Sequence, residues 1–147
     1  MIDSTFLSTI YLLRAATQGD IDAVNIISEA IEFKAGQPIV TEKDKSRDIM
    51  VIGAGRARVE TRGGDLIGEL KPGDMIGEIA FLDGKERTAN VSAIGDCTIF
   101  IVPEKGLKEL MRTNSKLEVT VLRNATLALC QRLRDANKQV ESLMVVR

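Results

Sequence analysis

Histidine and tryptophan are missing from this 147-residue chain, tyrosine occurs once, and there are only three prolines and two cysteines. Without histidine, a histidine-based catalytic triad, a His-ligated zinc or non-haem iron site, and a His-ligated haem are all excluded. Cys97 and Cys130 are too few for a four-cysteine zinc or iron–sulfur site within one chain, and they read as reduced, buried thiols. No apolar run approaches the roughly 20 residues that span a bilayer, and Met1-Ile2-Asp3-Ser4 lacks the basic start of a secretion signal. Twenty basic and 21 acidic side chains leave a formal charge of −1, which supplies no overall field for nucleic acid or an anionic membrane. The expectation is a cytoplasmic protein with no membrane or nucleic-acid partner, no metal, no cofactor and no catalytic residue: not an enzyme.

What is present is a length that suits one domain over 1–147 and an uneven distribution of glycine. Nine of the twelve glycines fall between Gly53 and Gly95, among short apolar runs bounded by turn residues; the flanks read as helical. Residues 1–29 are expected to hold N-terminal helices, one from Asp3 to Gln18 and a second capped by Asp20 after a break at Gly19-Asp20. Residues 30–103 carry about eight strand signals, which suggest a small antiparallel barrel or roll. Within it, Arg56–Arg62 and Asp65–Leu70 flank Gly63-Gly64, read as a two-residue hairpin turn, and Lys71-Pro72-Gly73-Asp74 fits a type II turn. Further strands are expected at Thr88–Ala93 and Cys97–Val102. Residues 104–147 are helical: a short helix from Glu104 to Arg112, then a long one from Ser115. The fold class is therefore α+β, mainly β: a roll or jelly-roll barrel flanked by N-terminal helices and a long C-terminal helix.

The long helix carries two apolar faces. Leu122, Thr126, Leu129, Leu133, Ala136, Val140 and Leu143 recur at alternating steps of four and three, a heptad stripe. Leu117, Val121, Ala125 and Ala128 form the other face. One face can cover the roll while the heptad stripe pairs with a second copy, so a homodimer is favoured over a stripe that merely covers the roll.

Chemistry concentrates in 73–90. Gly77 permits a sharp turn, and Glu78-Ile79-Ala80-Phe81-Leu82 can form one helical turn whose free N–H groups suit an anion. Arg87, ten residues after Gly77, can add a bidentate guanidinium to that anion. Glu78 repels anions but accepts hydrogen bonds from hydroxyls. A phosphate with a vicinal hydroxyl describes a sugar phosphate or nucleotide. The plainer alternative is that Glu78 and Arg87 form a surface ion pair worth little.

Phe33-Lys34-Ala35-Gly36, Gly55, Pro72-Gly73-Asp74 and, above all, Gly77-Glu78-Ile79-Ala80 with Arg87-Thr88-Ala89 make the chain resemble the cyclic nucleotide-binding domain family, of the catabolite activator and cAMP-dependent kinase regulatory-subunit type. The resemblance runs from about Ile31 to Asn137. It implies that Arg87 pairs with the cyclic phosphate and Glu78 accepts the ribose 2′-hydroxyl. Gly77, Ile79 and Ala80 would give backbone groups, and Thr88 a hydroxyl or N–H. Val59 and Leu70 would pack on the base, and Ala136 and Asn137 would lie where the long helix reaches over the purine. Each has a bland counterpart: Thr88 as an ordinary strand residue, Val59 and Leu70 as core, Asn137 as a solvated helix position.

Two departures from the family pattern stand out. Lys43 replaces the usual glycine of a loop in Glu42-Lys43-Asp44, and Ala136 cannot make the hydrogen bond a threonine would make to the base. The implied function is a regulatory module that binds cAMP, favoured over cGMP, and transmits occupancy through its C-terminal helix to an effector protein of unknown kind. The alternatives are a nucleotide-free dimeric scaffold and a fragment of a catabolite-activator-type transcription factor. For the last, the roughly ten residues after Asn137 leave too little chain for a helix-turn-helix.

Overall fold

Every residue from Ile49 to Ile52 is apolar, which a strand tolerates only where both its faces are covered. The computed structural model, which describes residues 4–7, 9–41, 43–85, 87 and 89–145, places this run in the middle of the molecule. Ile49 and Val51 point into a core shared with the helices, while Met50 and Ile52 point into the interior of a roll. Among the described residues the roll has eight strands: β1 (Glu29–Phe33), β2 (Pro38–Val40), β3 (Ile49–Ala54), β4 (Ala57–Glu60), β5 (Leu66–Leu70), β6 (Met75–Ile76), β7 (Asn90–Ala93) and β8 (Cys97–Val102). They form two four-stranded antiparallel sheets, ordered β1-β8-β3-β6 and β2-β7-β4-β5. Strand β8 alternates like β3: Cys97 and Ile99 face the roll interior, Phe100 and Val102 the helical core.

Among the described residues, five α-helices complete the fold: α1 (Ser4–Leu7), α2 (Gln18–Ile27), α3 (Glu78–Asp83), α4 (Glu104–Thr113) and α5 (Ser115–Val145). By residue count helix outweighs strand, because α5 alone takes 31 residues. None of the described helices is long and apolar enough to cross a membrane.

The N-terminal segment departs from the sequence reading. Instead of one helix over Asp3–Gln18, α1 is followed by a 3-10 turn at Tyr11–Leu13 and a positive φ of 70° at Ala15. Leu7, Ile10, Leu12 and Leu13 are all fully buried, and a regular helix turning 100° per residue cannot aim all four at one core. The irregular backbone can, and the buried amide of Asn124 on α5 holds it by donating to the carbonyls of Leu12 (2.8 Å) and Arg14 (2.9 Å). Gly19-Asp20 does not break a helix but lies in the first turn of α2. Its cap is Thr17, whose hydroxyl accepts from the Asp20 N–H at 3.1 Å. Asp20 instead accepts from the Asn114 amide at 2.8 Å, at the junction of α4 and α5.

The β4–β5 connection is also longer than a two-residue turn. Glu60 pairs with Leu66, and residues 61–65 form a loop closed by the Thr61 N–H on the Asp65 carbonyl (2.8 Å) and by the Asp65 N–H on the Thr61 hydroxyl (3.1 Å). The threonine side chain competes for the backbone donor that a tight turn would have used. The turn at Lys71–Asp74 has the expected type II geometry, with Gly73 at φ 95° and the Asp74 N–H on the Lys71 carbonyl at 3.0 Å.

On α5, Leu117, Val121 and Ala125 are buried against the body, whereas Leu122, Leu133, Val140 and Leu143 are exposed. The two apolar faces therefore separate as their spacing implies, one covered and one facing outward. Of the cysteines, Cys97 is buried but Cys130 is exposed on α5, contrary to the expectation that both lie in the interior. Burial pushes the Cys97 thiol pKa up, with Asp96 adding to the shift.

Candidate functional site

The turn between β6 and α3 builds the site. Strand β6 runs beside β3 through the pairs Met50–Ile76 and Val51–Met75, and the chain then has to reverse within one residue. Gly77 does this with φ 94° and ψ 2°, a left-handed conformation that disfavours any side chain. Its carbonyl accepts the first helical bond of α3, from the Phe81 N–H at 3.0 Å. A Cβ at position 77 would collide with the Arg87 guanidinium and would stand 2.7 Å from the Asp48 carbonyl. Glycine is thus needed for both the turn and the close approach of Arg87.

Arg87 and Glu78 are both buried, at 4% and 1% exposure, so the reading of a surface ion pair falls away. Arg87 Nη2 donates to the Asp48 carbonyl at 2.9 Å, while Nε and Nη1 have no hydrogen-bond partner. Burial lowers the Arg87 pKa, opposed by the negative charges of Asp48, Asp44 and Glu78. Buried guanidinium donors left unmade are unfavourable, and they suit an acceptor supplied from outside the chain. Asp48 also accepts from the Glu104 N–H through Oδ1 at 2.8 Å, which ties the loop under Arg87 to the start of α4.

These groups border a cavity of about 360 Å³, inside the range of roughly 300–1,000 Å³ typical of small-molecule sites. Gly77, Glu78, Ile79, Ala80 and Arg87 line one end, and Val59, Leu70 and Val91 line an apolar wall. The wall follows from register: Val59 sits directly opposite Val91 on one side and Gly68 on the other. Gly68 adds no side chain and leaves open space beside them. Seven of the ten residues singled out from the sequence therefore meet in one cavity.

The other three do not. Thr88 lies outside the described residues. Ala136 and Asn137 are exposed on α5 and do not line the cavity. Where the helix reaches the cavity, the side chain is Arg132, which the sequence reading passed over. Arg132 pairs through Nη1 with Glu78 Oε1 and donates through Nη2 to the Met75 carbonyl at 3.2 Å. A signal was available: Leu117, Val121, Ala125 and Ala128 extend at helical spacing to 132, so the face that covers the body ends on this arginine.

Among the described residues no cluster of three metal-ligating side chains occurs. Chemically, the cavity offers a buried cation with free donors, a carboxylate that accepts hydroxyl hydrogens, and an apolar wall. This set suits a small anion carrying a sugar hydroxyl and a flat apolar group.

Comparison with known proteins agrees with this geometry. Residues 30–114 match the family model for the cyclic nucleotide-binding domain. The chain is 29% identical over 106 residues to a cAMP-dependent protein kinase regulatory subunit of Eremothecium gossypii, covering 72% of this chain and 23% of the relative. It is 30% identical over 92 residues to a cGMP-dependent protein kinase of Caenorhabditis elegans, covering 63% of this chain and 12% of the relative. The chain thus spans less than a quarter of the length of either kinase protein. The catabolite activator protein of Thermus thermophilus shares the fold, with a TM-score of 0.76 at 24% identity over 91% of this chain and 63% of that one. The chain belongs to the cyclic nucleotide-binding domain family.

Proposed function

We propose that the chain is a regulatory module that binds a purine 3′,5′-cyclic nucleotide, cAMP before cGMP, and reports occupancy through α5. The observation that carries this reading is the pair of unpartnered, buried Arg87 donors in the same cavity as the Glu78 carboxylate. In this reading the cyclic phosphate takes the free donors of Arg87 and backbone groups at 77–80. A ribose hydroxyl donates to Glu78, and the base lies along Val59, Leu70 and Val91.

Occupancy would reach the helices by two routes. Asp48 joins Arg87 to the start of α4, and α5 reaches the cavity directly through Arg132. A ligand that binds better when these contacts are made shifts the population toward that arrangement. Isothermal titration calorimetry with cAMP and cGMP tests the assignment: saturable binding of at least one is expected. Heat from neither, together with no thermal shift, would remove this function and leave a scaffold.

The outward stripe on α5 supports pairing with a second copy. Leu133, Val140 and Leu143 are 63%, 54% and 77% exposed at heptad spacing, a pattern that buries well against a parallel twin. Sedimentation equilibrium is expected to show a dimer that Leu133→Asp converts to monomer. A monomeric wild type would rule out this interface.

A further inference from the structure

The wall of the cavity and its charged end differ in kind. Val59, Ile67, Leu70, Ala89 and Val91 border the space in which the base lies in the function proposed above, and none of these side chains donates or accepts a hydrogen bond. The polar residues of the same strands are engaged elsewhere. Strand alternation turns Arg58 and Glu60 to the opposite face from Ala57 and Val59, and they pair with each other at 2.9 Å. Glu69 borders the cavity, but its carboxylate pairs with Arg56 at 3.3 Å. On α5, Arg132 is held by Glu78 and the Met75 carbonyl, and the exposed Ala136 and Asn137 do not line the cavity.

Among the described residues, the groups open to a polar ligand are thus concentrated where the sugar phosphate lies. The unpartnered Arg87 donors and Glu78 Oε2 stand at that end. Every ribonucleoside 3′,5′-cyclic monophosphate presents the same phosphate and the same 2′-hydroxyl to them. What varies among these ligands is the base, and the base meets apolar area. The mouth beside it is open, with Ile67 60% and Ile79 38% exposed. The polar edge of a base can therefore stay in water while its face lies on the wall, which avoids the cost of burying donors and acceptors without partners.

We propose that the site reads the sugar phosphate and not the base, so that its ligand class is ribonucleoside 3′,5′-cyclic monophosphates in general, those of cytidine (cCMP) and uridine (cUMP) included. The inference rests on the cyclic nucleotide reading and widens it beyond the purines. cAMP stays first because adenine has few polar groups and a purine covers more of the wall than a pyrimidine. Chemistry bounds the margin. An apolar pocket separates ligands that differ by one small group by up to about 10²-fold, whereas a site built to hydrogen-bond one of them rejects the others by about 10⁴–10⁵-fold.

Competition calorimetry on the wild-type chain with cAMP, cGMP, cCMP and cUMP tests it. All four are expected to bind, cAMP most tightly, with the weakest within about 100-fold of it. Thr88→Ala is expected to keep the ratios among the four within about twofold, as effects at a position that does not meet the base are independent of the base. A loss in that variant confined to one base would mean that the Thr88 hydroxyl reads it. That result, or a wild-type spread beyond about 100-fold, would overturn this proposal while leaving the cyclic nucleotide reading intact. Wild-type protein that binds none of the four would overturn both.

Discussion

Arg87→Ala is expected to weaken cyclic nucleotide binding by about 2–5 kcal/mol, roughly 30-fold to several thousandfold, because the buried phosphate loses its countercharge and two donors. The same substitution should alter the stability of the ligand-free protein far less. In that state the Arg87 side chain makes a single described hydrogen bond, to the Asp48 carbonyl, and its burial works against the charged form. Removing such a cation relieves desolvation while losing that bond, and the two effects oppose each other. The combination is the diagnostic: a large drop in calorimetric affinity with a melting temperature close to wild type. Undiminished affinity for both cAMP and cGMP would sink the assignment of Arg87. A collapse of the fold would instead make Arg87 chiefly a structural residue, held for its bond to Asp48.

Gly77→Ala is expected to damage stability and binding together. Position 77 has φ 94°, where a non-glycine residue is strained by on the order of 1–3 kcal/mol. The added methyl would also be driven against the Arg87 guanidinium and the Asp48 carbonyl. For a domain of this size, strain of that order lowers the melting temperature by roughly 3–10 °C. Relief would come from pushing Arg87 out of its place, so nucleotide affinity should fall at least about tenfold, the size of loss that follows when a buried charge contact is broken. Gly95→Ala is the control, since φ there is not positive and the added Cβ meets nothing within 4 Å; it should lie within about 0.5 kcal/mol of wild type. Wild-type melting and wild-type affinity for Gly77→Ala would show that the turn can adapt and that Arg87 does not depend on it.

The site was legible in the sequence to the extent that it is local. Gly77, Glu78, Ile79 and Ala80 are consecutive, and the turn and helix that present them are set by a glycine at positive φ followed by helix-compatible residues. Val59, Leu70 and Arg87 could be added because strands alternate and the family's motif spacing fixes which positions meet. The N-terminal segment was not legible in this way. Its apolar residues fit a helix by composition, but four of them bury together only when the backbone abandons regular helix, and that choice depends on the core formed by β3, β8 and α5. The β4–β5 loop failed for a smaller reason: the Thr61 hydroxyl supplies an alternative backbone partner.

Asn137 and Arg132 mark the boundary most clearly. The long helix and its two faces follow from periodicity, because residues three and four apart share a side whatever the helix packs against. Which of its residues stands over the cavity depends on how far along the helix the body extends, and Leu117, Val121, Ala125 and the buried Asn124 amide set that distance. The sequence by itself determined that histidine-dependent chemistry is excluded, that glycine-rich turns build a roll, and that one glutamate and one arginine lie near a tight turn. Only the tertiary structure decided that both are buried in one cavity and that a second arginine, more than 40 residues further along the chain, pairs with the glutamate. Local propensity acts over a few residues, whereas burial and ion pairing are decided by which distant surfaces exclude water together.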